Sequence, residues 1–420
     1  MAATTTADLQ IVQVPIDELH PDPANPRKIS DAELDSLTRS LREFGFVQPV
    51  IARHDDHVVV GGHQRLVAAR RLGYKTVPVI FVDLSPEQSH LLNLALNKIS
   101  GDWDEQLLAR MLADLQANAV DLEVSGFDAD EINRLLKGLE ASDKRDRLET
   151  FDLDAALADA EAKPITQAGD LWLLGDHRLL CGDSTNAEDV DRLFDGKQAS
   201  LLATDPPYLV DYDAQNHPPS KSNKGKANRN KNWDEYKDPD ASVEFFARFL
   251  RLGLQHLAPK SAVYQWHATR RQKLVEEAWV QCGLLVHQTI VWVKARGVLT
   301  RSHYLWSHEP CFYGWVEGSA PKLKPPASER TVWHIDQQGE QAGIHPTQKP
   351  VELFLKPIEF HTRPGDVIYE PFLGSGTQLI AAERTGRVCY AMEQEPLYVQ
   401  VAVARWEAFS GAKAVREPAP

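Results

Sequence analysis

Four consecutive residues, Asp205-Pro206-Pro207-Tyr208, carry the side chains best suited to chemistry in this chain of 420 residues. They follow the apolar stretch 201–204, which predicts the end of a buried strand. Two consecutive prolines fix two φ angles and keep the residue before each of them extended, so the strand should end in a rigid turn. On that turn the Asp205 carboxylate and the Pro206 carbonyl can accept hydrogen bonds from one exocyclic amino group, and the Tyr208 ring can stack on its base.

This arrangement suits chemistry on the amino group of a nucleobase. The amino nitrogen is a weak nucleophile because its lone pair is delocalised into the ring. Holding both of its hydrogens favours a geometry in which the lone pair can attack an electrophilic methyl group. A base inside a duplex cannot reach such a turn, so it would have to be flipped out of the helix. An ordinary Pro-Pro turn after a strand is the alternative interpretation of the tetrapeptide alone.

A second motif lies near the C-terminus and supports the first interpretation. Residues 366–370 predict a strand, 371–377 a glycine turn, 378–384 a helix, and 388–392 a second strand that ends at Glu393. This order is that of a βαβ nucleoside-binding unit, in which glycines allow close backbone approach and an acidic residue about 20 positions on binds ribose hydroxyls.

From about residue 169 to residue 411 the chain resembles the β-class of amino-methylating DNA methyltransferases, in which the catalytic motif precedes the cofactor motif. Residues 181–184 and 345–350 match two further motifs of that family, and Glu370 stands where the family usually has Asp. The resemblance implies S-adenosylmethionine as cofactor and direct methyl transfer without a covalent enzyme intermediate. It also implies a set of cofactor-binding residues: Asp183, His345, Thr347, Lys349, Glu370, Pro371, Phe372, Gly374, Gly376, Thr377 and Glu393.

The N-terminal part resembles a ParB-type N-terminal domain over about residues 10–115. The matching segments are 25–27, 45–49 and 62–65, the last followed by two alanines. In that family the second and third segments hold cytidine triphosphate, but here His63 and Gln64 replace a Glu and an Arg. The residues that could still hold a nucleotide or phosphate are Arg27, Gln48, Gly62 and Arg65. An adaptor that positions DNA or a partner through Arg65, Arg70 and Arg71 is the favoured alternative.

Two regions are predicted to contact DNA. Residues 216–232 form a basic loop without an acidic residue shortly after the tetrapeptide, and 295–343 occupy the position of the family's target-recognition segment. Basic side chains there can neutralise phosphates. A solvated insertion would explain the composition of the loop equally well. The candidate DNA contacts are Lys221, Lys224, Lys226, Arg229, Lys231, Arg296 and Arg301.

Composition limits the remaining functions. The hydrophobic content of 43% is typical of a globular protein, and the formal net charge of −14 requires any DNA-binding surface to be local.

No apolar run approaches the length of a membrane span and no signal pattern begins the chain, so we expect a cytoplasmic, nucleoid-associated protein that does not contact membranes. The four cysteines are scattered and three histidines lack ligand spacing, so no metal is expected: His303, His308 and His334.

The predicted organisation is a small α+β ParB-like domain at 1–84, a helical extension at 85–140, a linker at 141–166 and a methyltransferase domain at 167–415. Alternating strands and helices in the last part predict a Rossmann-like α/β sheet. The fusion suggests a phage or mobile element.

The sequence favours a site-specific enzyme that methylates adenine N6 in double-stranded DNA, because Asp-Pro-Pro-Tyr resembles adenine enzymes. Methylation of cytosine N4, action on RNA, and a ParB-like binding protein with a non-catalytic methyltransferase domain stay open as alternatives. So do a homodimer and a cognate restriction enzyme.

Overall fold

The computed structural model describes residues 10–97, 102–125, 127–147, 149, 151–210, 236–298, 303–335 and 349–419. The chain divides into two compact units, Met1–Glu140 and Ala141–Pro420. Each unit is built around its own sheet.

The first unit is an α+β domain followed by helices. Its strands are β1 (Ile11–Pro15), β2 (His20–Pro21), β3 (Arg27–Lys28), β4 (Val50–Arg53), β5 (Val58–Gly61), β6 (Thr76–Val82) and β7 (Asp102–Trp103). Its helices are α1 (Asp31–Phe44), α2 (His63–Leu72), α3 (Pro86–Asn97), α4 (Glu105–Ala117) and the greater part of α5 (Ala129–Lys144).

A five-stranded mixed sheet in the order β1-β6-β4-β5-β2 forms the core of this domain. Helix α1 begins at a capping box, in which Ser30 accepts from the Glu33 amide and the Glu33 carboxylate accepts from the Ser30 amide. Its apolar face buries Leu34 and Leu41 against the sheet. Leu34, Leu37 and Leu41 follow one another at steps of three and four residues, which is the spacing of one helix face.

Helices α3 and α4 have a separate small core. Leu94 of α3 packs with Leu108, Leu112 and Leu115 of α4, and all four side chains are buried. The predicted helical extension therefore has its own apolar cluster rather than a single surface stripe.

The second unit contains the larger sheet. Its strands are β8 (Leu171–Leu174), β9 (His177–Cys181), β10 (Ala199–Thr204), β11 (Leu257–Trp266), β12 (Leu284–Val298), β13 (Trp306–Val316), β14 (Val332–His334), β15 (Val367–Glu370), β16 (Val388–Glu393) and β17 (Val415–Glu417). Its helices are α6 (Leu153–Ala162), α7 (Ala187–Phe194), α8 (Pro239–Gln255), α9 (Gln272–Gln281), α10 (Val351–His361), α11 (Thr377–Thr385) and α12 (Pro396–Ser410).

The ten strands run in the order β14-β12-β13-β11-β10-β15-β16-β9-β8-β17. The five central strands from β11 to β9 are mutually parallel, so their carboxyl ends lie at one edge of the sheet. Helices contact both faces, which is the arrangement of a Rossmann-like α/β fold. The predicted fold class is confirmed. Strand β10 lies beside β15, at the point in the sheet where the order in which the chain forms the strands reverses. The tetrapeptide follows β10 and the glycine turn follows β15, so both sequence motifs begin at this point.

Strands β12 and β13 form an antiparallel hairpin that reaches beyond this edge. Strand β13 pairs with β11 only as far as Cys311 opposite Trp266, the last residue of β11. The pairing of β12 with β13 continues outward to Val298 opposite Trp306. The hairpin is therefore an arm that extends past the carboxyl ends of the parallel strands.

The interval 141–166, which the composition indicated as a linker, contains the end of α5 and the whole of α6. Asp152 caps α6 by accepting from the Ala155 amide, and the alanine-rich sequence favours a helix. Leu153 and Leu157 of this helix pack on Val401 of α12. The segment is thus built into the second unit instead of spanning two modules.

Among the described residues, no helix is both long and apolar enough to cross a membrane.

Candidate active site and cofactor turn

The tetrapeptide begins where β10 ends. Strand β10 is buried through Thr204, and Asp205 is the first residue beyond it, at the carboxyl edge of the sheet. After Tyr208 the chain turns at Leu209, whose φ of 52° is unfavourable for a leucine. The Arg271 guanidinium donates to the Leu209 carbonyl over 2.9 Å and holds this conformation. The turn that the two prolines are expected to make rigid is therefore also held by a hydrogen bond at its C-terminal end.

Lys349 lies in the middle of the catalytic turn. Its ammonium group donates to Asp205 Oδ2 over 2.5 Å and to the Tyr208 hydroxyl over 2.8 Å, and its side chain is only 7% exposed. The family motif predicted a contact with the cofactor for this residue. The structure places it against the two side chains that were predicted to bind the target base, and its contact with the cofactor stays a prediction.

Glu309, a residue that the sequence analysis did not single out, completes the cluster. Its carboxylate lies 3.0 Å from Lys349 Nζ and accepts a hydrogen bond of 3.0 Å from the Tyr208 hydroxyl. Lys294 on the neighbouring strand β12 lies 2.5 Å from its other oxygen. The four charged side chains alternate in sign along the series Asp205, Lys349, Glu309 and Lys294. They form a closely packed group beside Tyr208 that has no net charge.

Burial and charge act in opposite directions on these groups. Burial raises the pKa of Asp205, and the adjacent ammonium of Lys349 opposes that rise. Burial alone would also raise the pKa of Glu309, but Lys349 and Lys294 lower it to about 2. Burial would lower the pKa of Lys349, but the two carboxylates raise it above its ordinary value. Burial raises the pKa of Tyr208 well above its usual range, so the phenol keeps its proton.

The second oxygen of Asp205 distinguishes this carboxylate from a purely structural ion pair. Asp205 Oδ1 is buried and has no hydrogen-bond partner among the described residues. Buried acceptors are nearly always satisfied, and an exception calls for an explanation. An amino group brought to the turn would supply the missing donor.

The glycine turn follows β15, next to the catalytic turn. Gly374 has a φ of +56°, and a Cβ added there would meet no atom within 4 Å. Its amide donates to the Glu393 carboxylate over 2.9 Å. Gly376, in contrast, has a φ of +92° and packs so tightly that a Cβ would lie 3.2 Å from Ala402 of α12. Gly376 thus packs closely against α12, whereas Gly374 leaves open space beside an acidic side chain, and a contact of either glycine with the cofactor stays a prediction.

Glu370 is turned toward the protein interior. It is 1% exposed, and its Oε1 accepts from the Thr204 hydroxyl over 2.7 Å and from the Phe372 amide over 2.8 Å. Burial raises its pKa to about 8, so the carboxyl is largely protonated at neutral pH. The longer side chain at this position thus ties the end of β10 to the glycine turn.

The glycine turn is also held from behind. Arg405 of α12 is 1% exposed and donates to the Ser375 carbonyl over 3.0 Å and to Thr377 Oγ1 over 3.3 Å. The same guanidinium pairs with Glu149, which is 6% exposed, through both of its oxygens. Glu149 belongs to the segment that precedes α6, so the predicted linker supplies an anchor for the turn.

Three other predicted cofactor residues have contacts of their own. Asp183 accepts from the amide and the hydroxyl of Thr185 over 2.8 Å each, which closes a tight local turn. Phe372 packs edge-on against Phe249 with a centroid distance of 4.9 Å. Pro371 is buried at the start of the turn. These contacts shape the site, and a direct role toward the cofactor stays a prediction for all three.

Several predicted site residues lie outside the described residues. They are His345, Thr347, Lys221, Lys224, Lys226, Arg229, Lys231 and Arg301, which includes the whole predicted basic loop. Arg296 falls in β12, and its side chain also lies outside the described part.

In the first unit the structure brings the predicted nucleotide residues together. Arg65 donates to the Gln48 carbonyl over 2.7 Å, and its guanidinium lies 3.3 Å from the position of a Cβ on Gly62. Burial lowers the pKa of Arg65, and the charge of Arg27 lowers it further. Arg27 in turn donates to Asn97 over 2.7 Å. Two arginines thus lie close together at the start of α2.

His63 occupies a position at which the ParB family has an acid. Its Nε2 accepts a hydrogen bond of 3.4 Å from the Asp22 amide, and burial lowers its pKa to about 4. The imidazole is therefore neutral at physiological pH and acts as a structural acceptor. Nucleotide binding by this unit stays a prediction.

Comparison with known proteins agrees with this geometry. Residues 199–404 match the DNA methylase family of N6 and N4 enzymes, residues 1–98 match the ParB N-terminal domain, and residues 106–168 match the ParB-methyltransferase HTH domain. The last match covers the end of the predicted helical extension and the predicted linker.

The chain is also similar to individual methyltransferases. The chain is 28% identical over 191 residues to the type II methyltransferase M2.DpnII of Streptococcus pneumoniae, which covers 42% of this chain and 71% of the relative. It is 25% identical over 228 residues to the type II methyltransferase M2.LlaDCHI of Lactococcus lactis subsp. cremoris, covering 49% and 81%. The crystal structure of the M1.HpyAVI-SAM complex aligns with 22% identity and a TM-score of 0.40, covering 54% of this chain and 97% of that one.

The second unit is therefore a DNA methyltransferase domain. Within the chain, residues 199–404 match the N6/N4 DNA methylase family, and a match to a ParB N-terminal domain and a match to a ParB-methyltransferase HTH domain precede them. The family assignment confirms the predicted cofactor, S-adenosylmethionine, and the substrate class, DNA.

The residues at the glycine turn fit this cofactor. A nucleoside needs close backbone approach and a carboxylate for its ribose hydroxyls. Gly374 provides open space where a side chain would intrude, and the Glu393 carboxylate lies at its border.

Proposed function

We propose that this protein transfers a methyl group from S-adenosylmethionine to the exocyclic amine of a base flipped out of double-stranded DNA, with adenine N6 as the target. The observation that carries the proposal is the buried, unpartnered Oδ1 of Asp205 beside an oxygen that Lys349 already holds. One carboxylate oxygen is fixed in place, and the other is left to accept from the amine.

Each residue of the turn then has a separate role. Asp205 Oδ1 and the Pro206 carbonyl accept the two hydrogens of the amine, and the Tyr208 ring stacks on the base. S-adenosylmethionine supplies the electrophilic methyl group when bound. Lys349 and Glu309 position the turn, since they fix the Asp205 carboxylate and the Tyr208 hydroxyl. Because the four charges balance, the site can remain dry without an uncompensated charge.

The preference for adenine rests on Asp at the first position of the tetrapeptide, which resembles adenine enzymes. Cytosine N4 carries the same type of amino group and would engage the same acceptors. Two further hypotheses are that the chain forms a homodimer and that the ParB unit binds a nucleotide. Both are independent of the methyl-transfer experiment.

Replacing the central carboxylate tests the proposal. Asp205→Ala should abolish transfer of labelled methyl groups to duplex DNA, while S-adenosylmethionine binding persists because the glycine turn is intact. Lys349 keeps Glu309 as its counter-charge in this variant, so the fold should survive. Asp195→Ala, a change at a carboxylate that is 77% exposed, is the control and should leave turnover unaltered. Unchanged turnover by Asp205→Ala would rule out the role assigned to this carboxylate.

A further inference from the structure

We infer that the tip of the β12–β13 hairpin inserts into the DNA duplex and fills the gap that the flipped base leaves. The described residues of the tip are 303–306, and these four residues are referred to below as the hairpin tip. This inference rests on the proposed function, because it concerns how the base reaches the catalytic turn.

The register of the sheet places the tip beyond the catalytic edge. Strand β11 ends at Trp266, opposite Cys311, so residues 306–310 of β13 extend past the carboxyl ends of the parallel strands. At roughly 3.4 Å per residue these residues project about 17 Å outward. Glu309 is near the inner end of this projection and Trp306 is at its outer end, about 10 Å further along the strand.

The arm is fixed to the catalytic turn at its inner end. Glu309 contacts Tyr208 and Lys349, and Lys294 joins the two strands of the hairpin at the same level. Trp292 of β12 pairs with Glu309 in the register and is buried. The inner end of the arm is therefore fixed to the catalytic turn, and the register of the two strands shifts between Val293 and Val298 before the outermost pair at Trp306.

The tip exposes three consecutive large side chains. Tyr304 is 87% exposed, Leu305 is 55% exposed and Trp306 is 44% exposed. Surface apolar residues that stand singly need no explanation, but a run of two aromatic rings and a leucine marks a contact surface. Aromatic and aliphatic side chains of this size are those that proteins insert between base steps.

The composition of the sequence around the tip favours DNA as the occupant. The sequence 295–308 contains two arginines and no acidic residue, in a chain whose formal net charge is −14. A basic stretch of sequence that carries an apolar wedge suits a duplex, since cations attract phosphates while the wedge meets bases. Extruding a base breaks its stacking with the neighbouring bases, and an aromatic ring placed in the gap stacks on those bases in its place.

The test separates base extrusion from chemistry. The full-length double variant Tyr304→Ala/Trp306→Ala is compared with the unaltered protein on two duplexes that carry the sequence methylated by the unaltered protein. In the first duplex the target base is paired, and in the second it lies opposite an abasic site and is already unstacked. The matched control is Val316→Ala, at the other end of β13 and 43% exposed. S-adenosylmethionine affinity and the melting temperature verify that each variant is folded.

The inference predicts that the double variant loses at least about tenfold in kcat/KM on the paired duplex, equivalent to about 1.4 kcal/mol, and recovers to within about threefold on the abasic duplex. Val316→Ala should behave like the unaltered protein on both. Equal loss on both duplexes, or no loss on either, would overturn the inference. So would a changed oligomeric state with unchanged rates, because the tip would then be a protein interface. Failure of the unaltered protein to methylate either duplex would instead refute the proposed function.

Discussion

At the scale of single residues, the catalytic turn is defined by an asymmetry within one carboxylate. Asp205 Oδ2 is held by Lys349, whereas Asp205 Oδ1 is buried without a partner among the described residues. The tetrapeptide could be found in the sequence because two consecutive prolines after a predicted strand allow few backbone conformations. Glu309 could not be found in this way, since it lies about a hundred positions along the chain and belongs to no motif. The one feature that could have indicated Glu309 is that this charged residue directly precedes the buried strand segment 310–314.

Glu370 provides a pH-dependent test at this scale. Its pKa is raised by burial from an ordinary value of 4.5 to about 8. Between these two values the folded protein holds a proton that the unfolded chain has lost, so the free energy of unfolding falls as the pH rises. Replacing Glu370 with Gln keeps an oxygen acceptor for Thr204 and Phe372 and removes the titration. We expect the melting temperature to fall less between pH 6 and pH 9 in Glu370→Gln than in the unaltered protein.

The control for this comparison is Glu352→Gln on α10, where the side chain is 56% exposed. That variant should follow the pH dependence of the unaltered protein. If Glu370→Gln also followed it, the carboxyl would be ionised in the folded state and the account of its burial would be wrong.

At the scale of elements, the glycine turn depends on a segment that the sequence did not connect with it. The turn, its strands and its helix follow from local patterns, and the structure confirms them between β15 and β16. The anchor formed by Arg405 and Glu149 joins residues 256 positions apart, which no local pattern can reveal. The charge and alanine content of 141–166 indicated a linker. Composition alone does not reveal that a helix in this interval packs against α12.

Replacing Glu149 with Gln tests this anchor. The change removes the negative charge that faces a guanidinium buried to 1% exposure. Breaking a buried ion pair from one side costs roughly 3–5 kcal/mol, so we expect a loss of that order in the free energy of unfolding. The affinity for S-adenosylmethionine should also fall, because the same guanidinium holds the Ser375 carbonyl. Denaturant unfolding and calorimetric titration measure the two effects.

The comparison variant is Glu359→Gln, which breaks an exposed pair with Arg145. Exposed pairs contribute roughly 0–1 kcal/mol, so this variant should be close to the unaltered protein in stability and in cofactor affinity. A similarly small effect of Glu149→Gln would show that the buried pair does not support the turn.

At the scale of the whole molecule, the chain combines a ParB N-terminal domain and an HTH domain with a DNA methylase domain. The order of motifs and the two resemblances allowed the ParB-like part, the methylase part and the α/β fold to be predicted from the sequence, whereas the region of the HTH match was predicted only as a helical extension and a linker. The hairpin arm could not be predicted, because the interval 295–343 has no clear periodicity and its strands depend on pairing with β11 and β14.

The most direct test of the central claim is to incubate the purified full-length protein with S-adenosylmethionine and mixed-sequence duplex DNA, and then to analyse the digested nucleosides by mass spectrometry. The account predicts N6-methyladenine, which would be absent from the Asp205→Ala reaction. N4-methylcytosine would retain the chemistry of the turn and contradict the assignment of the base. No methylated base, with cofactor binding demonstrated in the same sample, would contradict the proposed function itself.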